Sequence, residues 1–235
     1  MWRAAALAAS IGVLAFYFGS DIAALGADYG TGAGEVRSLR LEDGTAVMLD
    51  TKSAIRVSYS ANARTVELVR GRAFFAVVHD AARPFSVRAL GGEARDIGTE
   101  FSVSRVADGS AEVLVTQGEV HVSYEGRAVN VLEGFGARWG ADTPRLEARH
   151  FELPPAIAWR FGRVFVDHQR LGAVVSELSR YRRRPIILMS GEAGSRVVSG
   201  IVQVSNIDEG IAALAQTQGL KAISLPFATF LISSN

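Results

Sequence analysis

Between about Val36 and Trp139 apolar and polar side chains alternate along the chain. Val47 and Leu49, Val66 and Leu68, Phe75 and Val77, Phe85 and Val87, Phe101 and Val103, and Val113 and Val115 form pairs two residues apart, and Ile55, Val57 and Tyr59 and then Val120, Val122 and Tyr124 form triplets. Successive strand side chains point to opposite faces, so this period predicts short strands with one buried face. Turn-forming runs such as "ANAR", "HDAARP", "LGGE", "ADGS" and "EGR" separate them. Strands at roughly ten-residue spacing predict an all-β sandwich, barrel or solenoid. No fixed-period repeat points to a propeller. Asp43-Gly44 is a turn that tolerates positive φ. Pro84 lacks an N–H and suits the start of a strand at Phe85. Phe74, Phe75, Phe85 and Phe101 are assigned to the core.

The period changes near Pro154-Pro155, a pair that can continue neither a helix nor a central strand. A linker is expected at residues 146–156, dividing a β domain at 28–145 from a second unit at 157–235. In that unit "WRFGRVFVD" predicts a strand, anchored by Trp159 and Phe165. Leu171, Val174, Val175, Leu178 and Tyr181 then fall on one helical face, with Asp167 or His168 as the cap. Residues 184–189 and 196–204 predict strands. Asn206 with Glu209 three residues on has the spacing of a capping box for a second helix, whose stripe is Ile207, Ile211, Leu214 and Ala215 and whose C-cap is Gly219. "KAISLP" and "TFLISS" close as strands. The order β-α-β-β-α-β-β predicts an α+β domain of roughly 80 residues with two helices on one face of a small sheet. Residues 225–233 are apolar enough for a sheet edge.

The N-terminus carries the strongest compositional signal. No charged residue interrupts residues 4–19, "AAALAASIGVLAFYFG". A helix over residues 4–25 would be about 33 Å long, enough to cross a bilayer. Ala4, Leu7, Ile11, Val13, Leu14, Phe16 and Phe18 belong to that expected span, and Phe16, Tyr17 and Phe18 suit an interfacial belt. Arg3 favours a cytoplasmic start, with everything after about residue 27 across the membrane. A cleaved signal peptide with "AALGA" as its cleavage site is the competing reading.

The formal net charge of +1 removes a whole-chain electrostatic argument for nucleic acid. The chain has no cysteine, which excludes disulfides, thiolate chemistry and zinc sites of the Cys type. His79, His121, His150 and His168 have no ligand spacing, and G-x-S-x-G is absent. "GTGAG", residues 30–34, lacks the strand and helix of a phosphate loop and reads as a hinge. "RYRRRP", residues 180–185, is the one basic cluster; its arginines complement a helix C-terminus and face water or a protein partner. No cofactor, metal or catalytic residue is assigned. Arg180, Tyr181, Arg182, Leu225, Phe227, Phe230 and Ile232 are the candidate partner-binding residues.

Several motifs recur in register over residues 28–235: "DYGTGAGEVRSLRLEDGTAVMLDTKSAIRV", "LVRGRAFFAVVHDAARPFSV", "IGTEFSV", "VTQGEVHV", "AWRFGRVFVD" with "LGAVVSELSRYRRRPI", and "VVSGIVQVSNIDEGIAALAQTQGLKA". Together they resemble the FecR-type transmembrane sensors, with a C-terminal module similar to the secretin/TonB N-terminus. The resemblance implies a single-pass inner-membrane protein, a transmembrane helix followed by an all-β FecR domain and a small α+β domain. Its periplasmic part would bind the signalling domain of a TonB-dependent outer-membrane transporter, by strand addition at residues 225–233, and relay the signal to an extracytoplasmic-function sigma factor, in many members for iron uptake. It implies no enzyme. Family members carry a cytoplasmic sigma-binding domain ahead of the membrane helix, whereas only Met1, Trp2 and Arg3 precede the apolar run here. A start upstream of Met1 is expected; a separate anti-sigma chain, or a copy that keeps only the receptor, are the other accounts. An exported scaffold or envelope-binding protein using the same fold is the alternative function, and an exported hydrolase a third.

Overall fold

The computed structural model describes residues 26–140, 143 and 145–233. The expected membrane span, Ala4 to Phe18, lies outside the described residues. Among those described, no helix is long and apolar enough to cross a membrane.

The alternating segments form β1 (Tyr29–Gly30), β2 (Arg37–Arg40), β3 (Ala46–Leu49), β4 (Ala54–Tyr59), β5 (Arg64–Arg70), β6 (Arg72–Ala76), β7 (Phe85–Ala89), β8 (Gly92–Asp96), β9 (Glu100–Arg105), β10 (Ser110–Gln117), β11 (Glu119–Tyr124), β12 (Arg127–Leu132), β13 (Phe135–Gly140) and β14 (Ala148–His150). They make two seven-stranded sheets, in the orders β1-β4-β5-β7-β8-β11-β12 and β14-β13-β10-β9-β6-β3-β2. Pairing is antiparallel except between β5 and β7. The sheets share one core: Ile55, Val66, Phe85, Val87, Val120 and Val122 from the first, and Val47, Leu49, Phe75, Phe101, Val103 and Val113 from the second. Of the sandwich, barrel and solenoid left open by the sequence, the arrangement is two facing sheets. The Asp43-Gly44 turn has Gly44 at φ 86°. Phe74 is buried on the opposite face of its sheet from Phe75, beneath the guanidinium of Arg160, 3.5 Å from the ring centroid.

Trp139 is fully buried, its Nε1 donating to Ala89 O at 2.8 Å. Its indole lies against Gly92, where a Cβ would overlap the ring. We therefore expect Gly92→Ala to destabilise the domain by about 1–3 kcal/mol through overpacking, read as a lower midpoint in thermal unfolding.

Part of the expected linker is a strand. Residues 148–150 pair with β13, and the ring of Phe135 lies edge-on to His150 at 5.6 Å. Pro154 and Pro155 occupy the first turn of α1 (Leu153–Ile157), where a missing N–H costs nothing. A 3-10 turn, Ala158–Phe161, follows and ends at Gly162 in the left-handed region.

The second unit contains β15 (Arg163–Arg170), α2 (Leu171–Arg180), β16 (Ile186–Leu188), α3 (Gly191–Gly194), β17 (Val197–Gln203), α4 (Ile207–Thr217), β18 (Leu220–Ser224) and β19 (Thr229–Ser233). The expected order holds, with the single turn α3 added. The layering differs from the expectation of one sheet with two helices on a face. β15 pairs with β17, and β16-β19-β18 form a separate sheet. α2 packs on β15 and β16, and α4 on β17 and β18, so both helices lie between the sheets. Apolar stripes wide enough for two faces explain this: Leu171, Val174, Val175 and Leu178 of α2 are all buried, as are Ile211 and Ala215 of α4.

Three local expectations are corrected. Trp159 precedes the first strand, and Val164 and Val166, not Phe165, face the core, because strand parity turns Phe165 outward. Neither Asp167 nor His168 caps α2. A bulge at His168, φ 46°, lets β15 run on to Arg170, and Leu171 N donates to Arg196 O. Asn206 occupies the N-cap of α4 without a side-chain cap bond, since a 3-10 turn leads into the helix there; Asp208 and Glu209 supply negative charge to the first turn.

Candidate interdomain junction and partner-binding surface

Helix α2 ends at the β domain. Its stripe carries Tyr181 inward at the C-cap, and a buried phenol requires a partner. That partner is Asp50, the residue after β3, which is 0% exposed. Tyr181 Oη donates to both Asp50 oxygens, at 3.0 and 3.1 Å. Arg72, at the start of β6, donates to Asp50 Oδ2 from Nε at 3.0 Å and Nη2 at 2.6 Å. Arg180 reaches the same oxygen at 3.2 Å. Glu177, one turn earlier on α2, accepts from Arg72 Nη2 at 3.0 Å and pairs with Arg180 at 2.9 Å. Two carboxylates and two guanidiniums balance, so Asp50 is buried within a half-buried cluster that carries no net charge.

The titration shifts follow from this geometry. Burial pushes the Glu177 carboxyl up, but Arg72 and Arg180 outweigh it and hold the group below the usual carboxylate range. Burial and the Asp50 charge raise the Tyr181 phenol, against the opposing pull of Arg72. Burial alone would lower Arg72, yet Asp50 and Glu177 raise it.

The helix end is also capped from the β domain. Thr51 Oγ1 donates to Arg180 O at 3.0 Å and accepts from Gly34 N at 2.8 Å; Lys52 Nζ lies 3.5 Å from Ser179 O. These carbonyls belong to the last turn, which has no intrahelical donors. Arg72 also stacks on Trp159, 4.9 Å from the ring centroid.

The next residue points the other way. Arg182 Nη1 donates to Thr229 Oγ1 at 2.9 Å and Nη2 pairs with Asp208 at 2.7 Å. Arg180, Tyr181 and Arg182, expected to face water or a partner, therefore make protein contacts instead: Arg180 and Tyr181 join the two modules, and Arg182 ties β19 and α4 to the end of α2 within the C-terminal one. The other four candidates lie on or beside the outer face of the three-stranded sheet. Phe227 is 65% exposed in the β18–β19 loop, beside Leu225, and its ring meets Phe230 at 6.0 Å. Phe230 pairs in register with Ile187 on one side and Ile223 on the other, both part-exposed, and Ile232 shares their face. Residues 229–233 are not the edge expected from sequence: β19 is central, paired on both sides, and offers no free ladder for strand addition. What β19 leaves open is its face.

A concavity of about 910 Å³ lies over the outer face of the first sheet, lined in part by Arg56, Glu67, Arg88, Glu93, Tyr124 and Arg127. Arg56 pairs with Glu67 and Arg88 with Glu93. Among the described residues no group of His, Cys, Asp or Glu is placed to hold a metal ion.

Asp50, Arg72 and Glu177 were missed in the sequence. The available signals were the Glu177–Arg180 spacing and a tyrosine completing an apolar stripe.

A two-sheet β domain fastened to a small α/β module, with an apolar sheet face left open on the latter, defines a two-module protein whose most conspicuous open feature is a surface. The FecR protein family model matches residues 27–121. Two crystal structures of a candidate anti-sigma factor from Parabacteroides distasonis ATCC 8503, at 1.65 and 2.50 Å, share the fold, with TM-scores of 0.77 and 0.76. Each is 21% identical and covers 88% of this chain and 99% or 98% of the other. No curated protein matches the chain.

Proposed function

We propose that the chain is a FecR-type regulator of an extracytoplasmic-function sigma factor, held in the inner membrane by residues 4–25 with both modules in the periplasm. Its C-terminal module receives the signalling domain of a TonB-dependent outer-membrane transporter, and the output is a shift in binding equilibria, with no chemical step. The FecR match over residues 27–121 supports the regulator class, as does the likeness of both modules to a protein described as a candidate anti-sigma factor. The observation that carries the receptor role is the exposed apolar face around Phe227 and Phe230, since aromatic clusters on an open face commonly anchor protein partners. Iron uptake is the expected physiological setting.

The test is titration of the full chain, in detergent micelles, with the isolated signalling domain of a TonB-dependent transporter from the same organism. We expect a micromolar dissociation constant, weakened about tenfold or more by Phe227→Ser. Absence of binding at high micromolar concentration overturns the receptor role.

A further inference from the structure

We propose that Arg180–Tyr181–Arg182 is a transmission element coupling the outer sheet face of the C-terminal module to residues 31–34, which follow β1, the first strand of the β domain. This rests on the reading that a partner binds that face; the coupling itself is testable without a partner.

The connection is continuous. Thr229 opens β19, which carries Phe230, and its hydroxyl accepts from Arg182. Arg180 and Tyr181 hold Asp50, and Arg180 O holds Thr51. The loop formed by Asp50, Thr51, Lys52 and Ser53 in turn fixes residues 31–34. Thr31 Oγ1 donates to Asp50 O at 2.5 Å, Thr31 N to Ser53 O at 2.9 Å, Lys52 N to Gly32 O at 3.0 Å, and Gly34 N to Thr51 Oγ1 at 2.8 Å. Gly34, at φ 77°, lies so close that a Cβ would stand 2.9 Å from Tyr181 O. One loop therefore contacts both the end of α2 and residues 31–34, and three consecutive residues link that loop to β19.

The joint is also built to be reversible. Trp159 Nε1 and Arg160 Nε, both at this seam, are buried without a hydrogen-bond partner among the described residues, and each such group costs about 1–3 kcal/mol. Buried ion pairs recover little beyond their own desolvation. Docking is thus a small difference between large terms, which a partner's binding energy can tip.

The experiment is amide hydrogen exchange on the full chain in detergent micelles, comparing the wild type with Arg182→Met. Arg182 bonds to none of residues 31–34 or 50–53, so a purely local role leaves those amides alone. We expect the amides of Thr31, Gly34 and Lys52 to exchange about tenfold faster, with those of the core strand β9 unchanged. Should β9 also lose protection, the variant has unfolded and Thr229→Val replaces it, removing the acceptor of Arg182 and a contact with Ser224 inside the same sheet while keeping the guanidinium. Unchanged rates at Thr31, Gly34 and Lys52, whether or not amides near Thr229 quicken, overturn the coupling. If the coupling holds while the transporter domain fails to bind, the receptor reading falls and the transmission element stands.

Discussion

Asp43→Ala is expected to destabilise the β domain by about 3–5 kcal/mol, lowering its thermal midpoint by about 10 °C or more. The pair it breaks is buried: Arg64 Nη1 lies 2.5 Å from Asp43 Oδ2, with side-chain exposures of 1% and 3%. Arg64 also donates to Arg83 O at 2.8 Å and Val78 O at 2.9 Å, and its guanidinium lies over the Phe85 ring at 5.4 Å. Asp43 accepts from Thr45 N, Thr45 Oγ1 and Tyr59 Oη as well. Removing the carboxylate strands a guanidinium that water cannot reach, and that penalty, more than the pair's own strength, sets the magnitude. The double replacement Asp43→Ala with Arg64→Met should recover much of the loss, since no charge is then left buried.

The same site gives a pH signature. Burial raises the Asp43 carboxyl, but hydrogen bonds from Thr45, Arg64 and Tyr59 outweigh it and hold the group below its usual range. A depressed native value means the ionised form stabilises the fold. That contribution is complete above the ordinary carboxylate value of about 3.9 and is lost as pH falls through the lower native value. Wild-type stability should therefore fall on acidification below about pH 4, and Asp43→Asn should flatten that limb. Glu177, shifted in the same direction by Arg72 and Arg180, adds a second acid-sensitive contact at the junction.

What the sequence disclosed and what it hid divide by the range of the interaction. Val47, Leu49, Phe85, Val87, Val113 and Val115 were readable as core because strand parity is a nearest-neighbour property, and two facing sheets bury one parity of each strand. The α2 stripe was readable for the same reason at a period of 3.6. Asp50 was not. It follows a strand and precedes Thr51, Lys52 and Ser53, a setting that suits any exposed turn, and its burial depends on Arg180 and Tyr181, 130 and 131 residues away. "RYRRRP" looked like a surface patch because a run of arginines carries no record of where its counter-charges lie. The edge assignment of residues 225–233 failed because β16, some forty residues earlier, comes alongside β19 in parallel, a pairing no local pattern encodes. Phe227 and Phe230 entered as candidates only through that edge strand; with β19 central, what exposes them is the loop and the outer face of the sheet.

The second large effect is expected at the junction. Asp50→Ala removes the acceptor shared by Arg72, Arg180 and Tyr181 and leaves the two guanidiniums to share the Glu177 carboxylate, with only neutral oxygens of Tyr181 and Thr51 besides. A cost of about 3–5 kcal/mol is expected, but it falls on docking more than on either core, because the clusters around Phe75 and around Leu178 do not include Asp50. Calorimetry of the full chain should then resolve two transitions where the wild type has one, the C-terminal module melting first. Tyr181→Phe removes one hydroxyl and keeps the charges paired, so a loss of about 1–2 kcal/mol without splitting is expected. The double variant should cost clearly less than the sum of the two, since the Tyr181 hydroxyl contributes little once its acceptor is gone. A single Asp50→Ala transition within 2 °C of the wild type, roughly 1 kcal/mol or less for a chain of this size, would mean that the ion cluster merely breaks even against its own desolvation. The modules would then be held by Trp159 beneath Arg72 and Phe74 beneath Arg160 instead.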